Sequence, residues 1–255
     1  MPKTTNELKE KMRNLKISET AKVLDDFLLE AETKELSYQE FLHKLVNYEL
    51  LRREEKQRDK WLKWAAFPEY KTLDKFDLAE QQSLSKKQLQ QLKELVWVEK
   101  MYNLLLLGPP GVGKTFLAIG LGIEAIHRGY KVSFIQMDDL IQLFKTQEIS
   151  RSSRAKMKRI VSSDLVIIDD LMFMAMDSAE ANMFFQLINK LYGQTSVIIT
   201  SNKGPEDWGE LLGDPAITTA ILDRILHKCE VIHLNGDSYR VNYRNTIFGN
   251  NWVLK

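Results

Sequence analysis

The fold of this chain is decided by residues 108–115, which read Gly108-Pro109-Pro110-Gly111-Val112-Gly113-Lys114-Thr115. The stretch fits the pattern G-x-x-x-x-G-K-[ST], in which glycines let backbone N–H groups turn inward around phosphate oxygens. The lysine adds a positive charge toward the phosphates, and the threonine hydroxyl is a ligand for Mg²⁺. The pattern therefore predicts a phosphate-binding loop, with these eight residues and Phe116 as the nucleotide contacts.

The segments on both sides of this loop have the order that the pattern requires. Residues 103–107, which contain four leucines in a row, are typical of a buried strand, and residues 116–127 have helical spacing and are followed by Gly129. The positive end of that helix points toward a bound anion. Strand, loop and helix in this order predict a nucleotide site at the carboxyl end of the strand.

The composition is that of an ordinary globular protein, with room for one full core and a smaller domain. The 255 residues are 44% hydrophobic and 28% charged, with a net charge of +1, so any nucleic-acid binding must come from local patches. Cys229 is the only cysteine, which excludes a disulfide within the chain and suits a reducing compartment. The polar N-terminus and the lack of an apolar run near the ~20 residues of a membrane span predict a cytoplasmic protein.

Residues 1–67 are predicted to form a small helical domain, and residues 68–255 the nucleotide-binding domain. Ser37 and Glu40 have capping-box spacing at the start of a long helix. Its apolar face, which we expect to be packed, carries Phe41, Leu42, Leu45, Val46 and Leu50. Pro68 ends this helix because it disfavours helical backbone in the preceding residue, and residues 67–82 are predicted to be a linker.

Two basic stretches are candidates for contact with DNA. The first, within residues 52–64, contains Arg52, Arg53, Lys56, Arg58 and Lys60 together with two tryptophans. It is either a solvated helix with ion pairs or a contact to the DNA backbone, and the stretch alone does not decide between them. The second contains Arg151, Arg154, Lys156, Lys158 and Arg159. It has no acidic residue, which favours DNA contact.

Two further strands bring polar residues to the predicted site. An apolar strand over residues 165–168 is followed by Asp169 and Asp170. An acidic residue at this position faces the phosphate loop, so Asp169 is predicted to hold Mg²⁺ together with Thr115. Asp170 is then placed to orient or deprotonate the attacking water. Asn202 follows a strand over residues 196–200, at the end where ligands of open α/β sheets bind.

Five short strands alternating with helices predict an α/β fold with a parallel sheet. The set resembles the AAA+ ATPases, because residues 108–115 match Walker A, residues 167–170 match Walker B and residues 199–202 match sensor 1. Arg224 lies where that family carries an arginine finger. The resemblance implies a P-loop NTPase core that uses ATP and Mg²⁺, with Asn202 positioning water. It also implies a homo-oligomer in which Arg224 acts on the ATP of a neighbouring subunit.

A narrower resemblance covers nearly the whole chain. It rests on the helical N-terminal domain, the phrase Lys71-Thr72-Leu73-Asp74-Lys75-Phe76, the Asp-Asp pair, His227 after Arg224, and Gly236-Asp237-Ser238-Tyr239-Arg240. These features resemble the IstB family, the ATP-binding helpers of insertion-sequence transposases. The resemblance implies an ATP-dependent protein that assembles on double-stranded target DNA without sequence preference and recruits or stimulates its transposase.

The chain departs from the usual AAA+ pattern in two places. Asp170 stands where most members carry glutamate, one methylene longer. Too little chain follows Leu234 to build the usual helical lid, so the lid is predicted to be truncated or absent. Either Arg240 or Arg244 could replace the lid arginine, or neither does.

Two other functions share parts of this pattern. A helicase loader similar to DnaC would use residues 1–66 to grip a protein, whereas the Arg/Lys/Trp stretch at 52–64 favours DNA. A GTPase is disfavoured because Asn202-Lys203-Gly204-Pro205 lacks the aspartate of Asn-Lys-x-Asp. A nucleotide kinase is disfavoured because no arginine-rich lid follows Leu234.

Overall fold

A computed structural model of the chain describes residues 5–78, 83–171 and 176–239. The chain divides into two compact units, Met1–Lys60 and Trp61–Lys255. The domain boundary that the sequence suggests after residue 67 stays a prediction. No helix in the described ranges has both the length and the apolar character that crossing a membrane requires.

The described part of the first unit is helical. Its elements are α1 (Thr5–Asn14), α2 (Ser18–Lys22), α3 (Leu24–Thr33) and most of α4 (Tyr38–Ala65). Met12, Ala21 and Leu24 form a small core against which Phe41 and Leu45 pack. The predicted capping box is confirmed, since Ser37 Oγ accepts the Glu40 N–H at 3.3 Å and Glu40 Oε2 accepts the Ser37 N–H at 2.9 Å.

The expectation that the whole apolar face of α4 is packed is wrong. Leu42, Val46 and Leu50 are 60%, 55% and 51% exposed. The reason is geometric, because the small core of α1 to α3 buries only the strip of α4 that carries Phe41 and Leu45.

The second unit alternates strands and helices. After α5 (Lys86–Lys93) and α6 (Val96–Glu99) come β1 (Asn103–Leu107), α7 (Lys114–His127), β2 (Val132–Gln136), α8 (Met137–Thr146), α9 (Arg151–Val161), β3 (Leu165–Asp169), α10 (Ser178–Leu191), β4 (Ser196–Ser201), α11 (Trp208–Leu212), α12 (Pro215–Leu226) and β5 (Cys229–His233). The strands form one sheet in the order β2-β3-β4-β1-β5, and every neighbouring pair is parallel. The predicted α/β class with a five-stranded parallel sheet is confirmed for the part of the chain that the structure describes.

Both faces of the sheet are buried, which explains the unbroken apolar runs of its central strands. In β1, Leu105 and Leu107 join the core on one face, and Leu104 and Leu106 join the core on the other. Helices α8, α10 and α12 supply the first core, while α5 and α7 supply the second.

The prediction of a linker over residues 67–82 is wrong for residues 67–78, and residues 79–82 lie outside the described ranges. Phe67 and Phe76 pack against the core, and Leu73 is buried in a short 3-10 turn. Leu73 approaches α7 at Gly120, where an added Cβ would lie 2.3 Å from Leu73 Cδ2. A glycine at this point of α7 lets the segment come close enough to join the core.

The carboxyl ends of the parallel strands gather the predicted site residues at one edge of the sheet. Residue Leu107 of β1 pairs with Ser201 of β4, and the Gly108 N–H donates to Ser201 O at 3.2 Å. Strand β3 ends at this same edge with Asp169. The predicted absence or truncation of the lid, and the candidates Arg240 and Arg244, fall outside the described residues.

Candidate functional site

The loop between β1 and α7 has a backbone that glycine makes possible. Gly108, Gly111 and Gly113 have φ angles of 149°, 86° and 98°, which L side chains rarely adopt. A Cβ on Gly108 would lie 2.0 Å from Leu234 O, so no larger residue fits between the end of β1 and the chain that follows β5. Gly113 is the residue immediately before α7, so the free N–H groups of the helix face the loop.

The residues after β5 pack directly on this loop. The Tyr239 N–H donates to Gly111 O at 3.1 Å, and a Cβ on Gly111 would lie 2.1 Å from Ser238 Oγ. This segment belongs to the phrase Gly236-Asp237-Ser238-Tyr239-Arg240 that carried part of the family resemblance. Its contact with the loop could not be inferred from spacing, because the two segments are more than 120 residues apart.

Lys114 fits the role of the phosphate-loop lysine. Its side chain is buried, and Nζ donates to Gly108 O at 2.6 Å and to Pro109 O at 2.9 Å. The ammonium is therefore held at the loop, next to the first N–H groups of α7. Positive φ angles, a helix N-terminus and a held lysine together match what an ATP triphosphate needs, so the residues present fit the nucleotide.

Val112 and Phe116, two of the predicted nucleotide contacts, have side chains that pack against other parts of the protein. Val112 is buried in the core beneath the loop. The ring of Phe116 lies 5.7 Å from the ring of Phe76, and Lys71 Nζ lies 5.6 Å from the centre of the Phe116 ring. Segment 71–76 thus contacts the first turn of α7 beside the loop through Phe76 and Lys71, a feature that the linker prediction missed.

Asp169 is a buried carboxylate held by two threonine hydroxyls. Thr115 Oγ1 lies 2.9 Å and Thr200 Oγ1 2.7 Å from Asp169 Oδ1. Burial raises the pKa of Asp169, and the two hydroxyl hydrogen bonds oppose that rise. The described ranges hold no group of three or more His, Cys, Asp or Glu suited to a metal. A lone carboxylate beside a threonine hydroxyl suits Mg²⁺, which takes its other ligands from substrate phosphates and water.

Asp170 follows β3, and the chain enters a turn at Leu171. The φ of Asp170, 59°, lies in the left-handed region, and its side chain is exposed. The Asp170 N–H donates to Thr200 Oγ1 at 2.8 Å, and the Leu171 N–H donates to Thr200 O at 2.9 Å. Thr200 therefore holds both Asp169 and the turn. Sequence reasoning assigned it no role, although it lies inside the sensor 1 match.

Asn202 lies exposed at the end of β4. The preceding Ser201 pairs with the end of β1, so Asn202 shares the edge of the sheet that carries the phosphate loop. Ser201 Oγ accepts the Lys203 N–H at 3.1 Å, which makes the chain turn immediately after the strand.

Arg224 lies at the opposite end of the strands, beside the amino end of β1. Asn103, the first residue of β1, donates from Nδ2 to Ile225 O at 2.8 Å, whereas the phosphate loop follows the last residue of β1. Arg224 Nε donates to Asn189 Oδ1 at 3.0 Å, and its guanidinium lies 4.8 Å from the centre of the Phe185 ring. Five strand residues at about 3.3 Å each separate Arg224 from the loop of its own chain.

The basic residues of α4 are mostly engaged within the first unit. Arg52 pairs with Glu55, Arg53 with Glu49, and Lys56 with Glu19. Glu49 also accepts the Thr20 N–H at 2.8 Å, which satisfies the start of α2. Of the five predicted residues on this helix, Arg58 and Lys60 make no ion pair with any described residue.

The basic residues of α9 divide between two faces of that helix. Arg151, Arg154 and Lys158 follow a spacing of three and four, are exposed, and make no ion pair within the described ranges; we call these three residues the outer stripe. Lys156 and Arg159 line a cavity of about 330 Å³ beside β2. The Arg159 guanidinium lies 5.0 Å from the Trp64 ring and donates to Trp64 O at 3.0 Å, so it takes part in packing.

Comparison with known proteins agrees with this geometry. A family model described as IstB-like ATP binding protein matches residues 10–246. A protein of Bacteroides fragilis named as an IS21-like insertion-sequence ATP-binding protein is 41% identical over 250 residues, covering 98% of this chain and 95% of its own. One of Pseudomonas aeruginosa, named as an ATP-binding protein of insertion sequence IS21, is 39% identical over 237 residues, covering 92% and 89%.

A solved structure supports the fold. The crystal structure of DnaI superimposes with a TM-score of 0.56 at 19% identity, covering 65% of this chain and 91% of that one. The chain therefore shares this fold, which confirms the predicted fold class, a parallel α/β core of the AAA+ type. On the family model and the two insertion-sequence relatives, the chain belongs to the family of IstB-like ATP-binding proteins.

Proposed function

We propose that the chain hydrolyses ATP at its phosphate loop and, in the ATP-bound state, assembles on DNA as the helper of an insertion-sequence transposase. The observation that carries this proposal is the pair Thr115 and Asp169, whose side-chain oxygens lie 2.9 Å apart between the start of α7 and the end of β3. A hydroxyl and a buried carboxylate brought together beside a phosphate loop are what Mg²⁺-dependent phosphoryl transfer requires of a protein.

Each polar group at this edge has a distinct task in the proposed reaction. Lys114 and the backbone N–H groups of the loop bind the phosphates, while Thr115 and Asp169 hold Mg²⁺. When bound, Mg²⁺ neutralises charge that develops on the transferred phosphoryl group. Asp170 takes a proton from the attacking water, and Asn202 orients that water.

The position of Arg224 supports a site that two copies of the chain complete together. Arg224 lies at the end of the strands opposite its own loop. Its contacts with Asn189 and Phe185 hold the guanidinium in place before any neighbouring copy binds. A neighbouring copy is the nucleotide-bearing partner that Arg224 can reach. Arginines supplied in trans accelerate hydrolysis by ~10³–10⁵ in GTPases, so an isolated copy should hydrolyse ATP slowly.

The outer stripe of α9 supports contact with the DNA backbone. Three exposed cations along one helix face can each neutralise a phosphate, and such contacts carry no sequence information. The ion pairs of Arg52, Arg53 and Lys56 reduce the charge that α4 can offer to DNA. The names of the relatives refer to insertion sequences, which supports a transposase as the partner.

Sedimentation velocity with a long duplex DNA tests this function. The protein is run with ATP, with ADP and without nucleotide, beside Asp170→Asn, which blocks hydrolysis, and Lys114→Ala, which blocks nucleotide binding. We expect large complexes on DNA with ATP, longer-lived complexes with Asp170→Asn, and no complexes with Lys114→Ala. A protein that stays monomeric and ignores duplex DNA in every nucleotide state would contradict the proposal and favour a loader that grips another protein.

A further inference from the structure

We infer that Thr200 is a positioning residue for the proposed hydrolysis, because its hydroxyl fixes Asp169 and the turn at Asp170 in a single arrangement. The inference rests on the proposed ATP site. Thr200 itself is buried, with 1% of its surface exposed, and it is expected to touch neither nucleotide nor water. It acts through the two aspartates.

The two hydrogen bonds of the Thr200 hydroxyl depend on each other. A hydroxyl has one proton to donate, and here it goes to Asp169 Oδ1 at 2.7 Å. The oxygen is then left as the acceptor for the Asp170 N–H at 2.8 Å. An ionised carboxylate only accepts and an amide N–H only donates, so both directions follow when Asp169 carries its charge.

The bond to Asp169 decides which carboxylate oxygen is available to Mg²⁺. Both short hydrogen bonds, from Thr200 and from Thr115, end on Oδ1, whereas Oδ2 has only the longer 3.2 Å contact with Thr115. With Oδ1 held from two sides, the carboxylate has one orientation, and Oδ2 is the oxygen left for the metal and its water ligands. Partners that orient a metal ligand in this way typically contribute 10–100-fold to metal affinity or activity.

The bond to the Asp170 N–H fixes the direction in which Asp170 leaves the strand. The left-handed backbone of Asp170 is uncommon for a non-glycine residue, although aspartate tolerates it better than most. Thr200 imposes it from both its side chain and its backbone, since Thr200 O also accepts the Leu171 N–H at 2.9 Å. Loss of the hydroxyl removes the bond at Asp170 and leaves the bond at Leu171, so its effect should be confined to the site.

The test compares Thr200→Val, which keeps the shape and removes both hydrogen bonds, with Thr200→Ser, which keeps the hydroxyl. Equilibrium binding of a fluorescent, non-hydrolysable ATP analogue is titrated with Mg²⁺ and repeated in EDTA. ATP turnover is measured separately as kcat and KM, and thermal unfolding checks the fold. We expect Thr200→Val to raise the Mg²⁺ midpoint and lower kcat, each about 10–100-fold. Analogue affinity in EDTA should be unchanged, and Thr200→Ser should restore both values.

A folded Thr200→Val protein with the parent's Mg²⁺ midpoint and kcat would overturn the inference. So would a variant that loses analogue binding equally with Mg²⁺ and in EDTA, because that result would indicate a purely structural role. If Thr200→Val does not fold, Thr200→Ala is held to the same criteria. If the unaltered protein binds ATP but does not hydrolyse it, the proposed function fails, while the Mg²⁺ midpoint still decides the role of Thr200.

Discussion

Thr115 Oγ1 donates to Asp169 Oδ1 across 2.9 Å, which joins the first turn of α7 to the last residue of β3. The contact places a buried carboxylate directly beneath the phosphate loop, where its charge is costly to the fold and useful to a metal ion. Burial raises the pKa of Asp169, and the neighbouring Asp170 adds to that rise. Removal of this charge should therefore raise the stability of the fold and weaken Mg²⁺-dependent ATP binding.

Asp169→Asn should stabilise the free protein and weaken Mg²⁺-dependent ATP binding. The amide keeps the size of the side chain and can still accept from Thr200, while the buried charge is lost. We expect the unfolding midpoint near pH 7 to rise by ~2–4 °C, the shift that about 1 kcal/mol produces in a domain of this size.

The pH dependence of this gain follows from the direction of the pKa shift. A carboxyl whose folded pKa is raised is protonated in the folded state at low pH and destabilises the fold only once it ionises. The advantage of Asp169→Asn should therefore be present near pH 7 and vanish as the pH falls below the ordinary range of an aspartate. A lower midpoint for the variant at neutral pH would contradict the assignment of Asp169 as a strained, buried charge.

If the outer stripe contacts DNA, it determines how steeply DNA affinity falls as the salt concentration rises. Replacing Arg151, Arg154 and Lys158 with glutamine should weaken binding to all duplex sequences alike. It should also reduce the log–log salt slope by about 2.7, at ~0.9 for each phosphate that the protein no longer neutralises. Fluorescence anisotropy of labelled DNA across a salt series measures both effects.

The matched control for the outer stripe changes the net charge by the same amount elsewhere. Lys86, Lys87 and Lys100 are exposed and lie on or beside α5 and α6, so the triple glutamine variant should keep the parent's slope. Equal effects in the two triple variants would mean that net charge, and not α9, determines DNA affinity.

Alanine in place of two glycines should change the free energy of unfolding in opposite directions. At Gly122 of α7 an added Cβ would lie 2.8 Å from Phe67 Cζ and 2.9 Å from Ile167 Cδ1, so overpacking should cost about 1–3 kcal/mol and outweigh the helix-propensity gain. At Gly209 of α11 the same Cβ would meet nothing within 4 Å, so alanine should stabilise by roughly 0.5–1 kcal/mol. Urea unfolding of both variants checks this. A stable Gly122→Ala protein would contradict the close packing of residue 67 against α7.

The features that the sequence predicts correctly are local ones. The loop between β1 and α7, the strand before it and the Ser37 capping box each depend on residues within a few positions of one another. The parallel sheet follows from the alternation of such segments. The contacts of Thr200 could not be predicted in this way, because they arise from the pairing of β3 with β4, which brings together residues 30 positions apart.

The errors also have physical causes. Segment 67–78 contains the polar and charged residues typical of a linker, and its packing depends on contacts with distant parts of the chain, such as the close approach of Leu73 to Gly120. Periodicity shows that α4 is amphipathic, but not how wide a strip of it the small core of the first unit covers. In α9 the sequence shows five cations, and contacts with Trp64 separate Arg159 from the exposed outer stripe.

The most direct test of a shared ATP site is to mix two inactive variants on duplex DNA. Asp170→Asn still binds ATP and assembles but does not hydrolyse it, and Arg224→Ala should lose ~10³-fold or more in ATP turnover if the arginine acts as proposed. In an equal mixture, about a quarter of head-to-tail interfaces would combine an intact Asp170 with an intact arginine. We expect turnover to recover to about that fraction of the unaltered protein's rate. A mixture no more active than the sum of its two components would contradict an ATP site completed by a neighbouring copy.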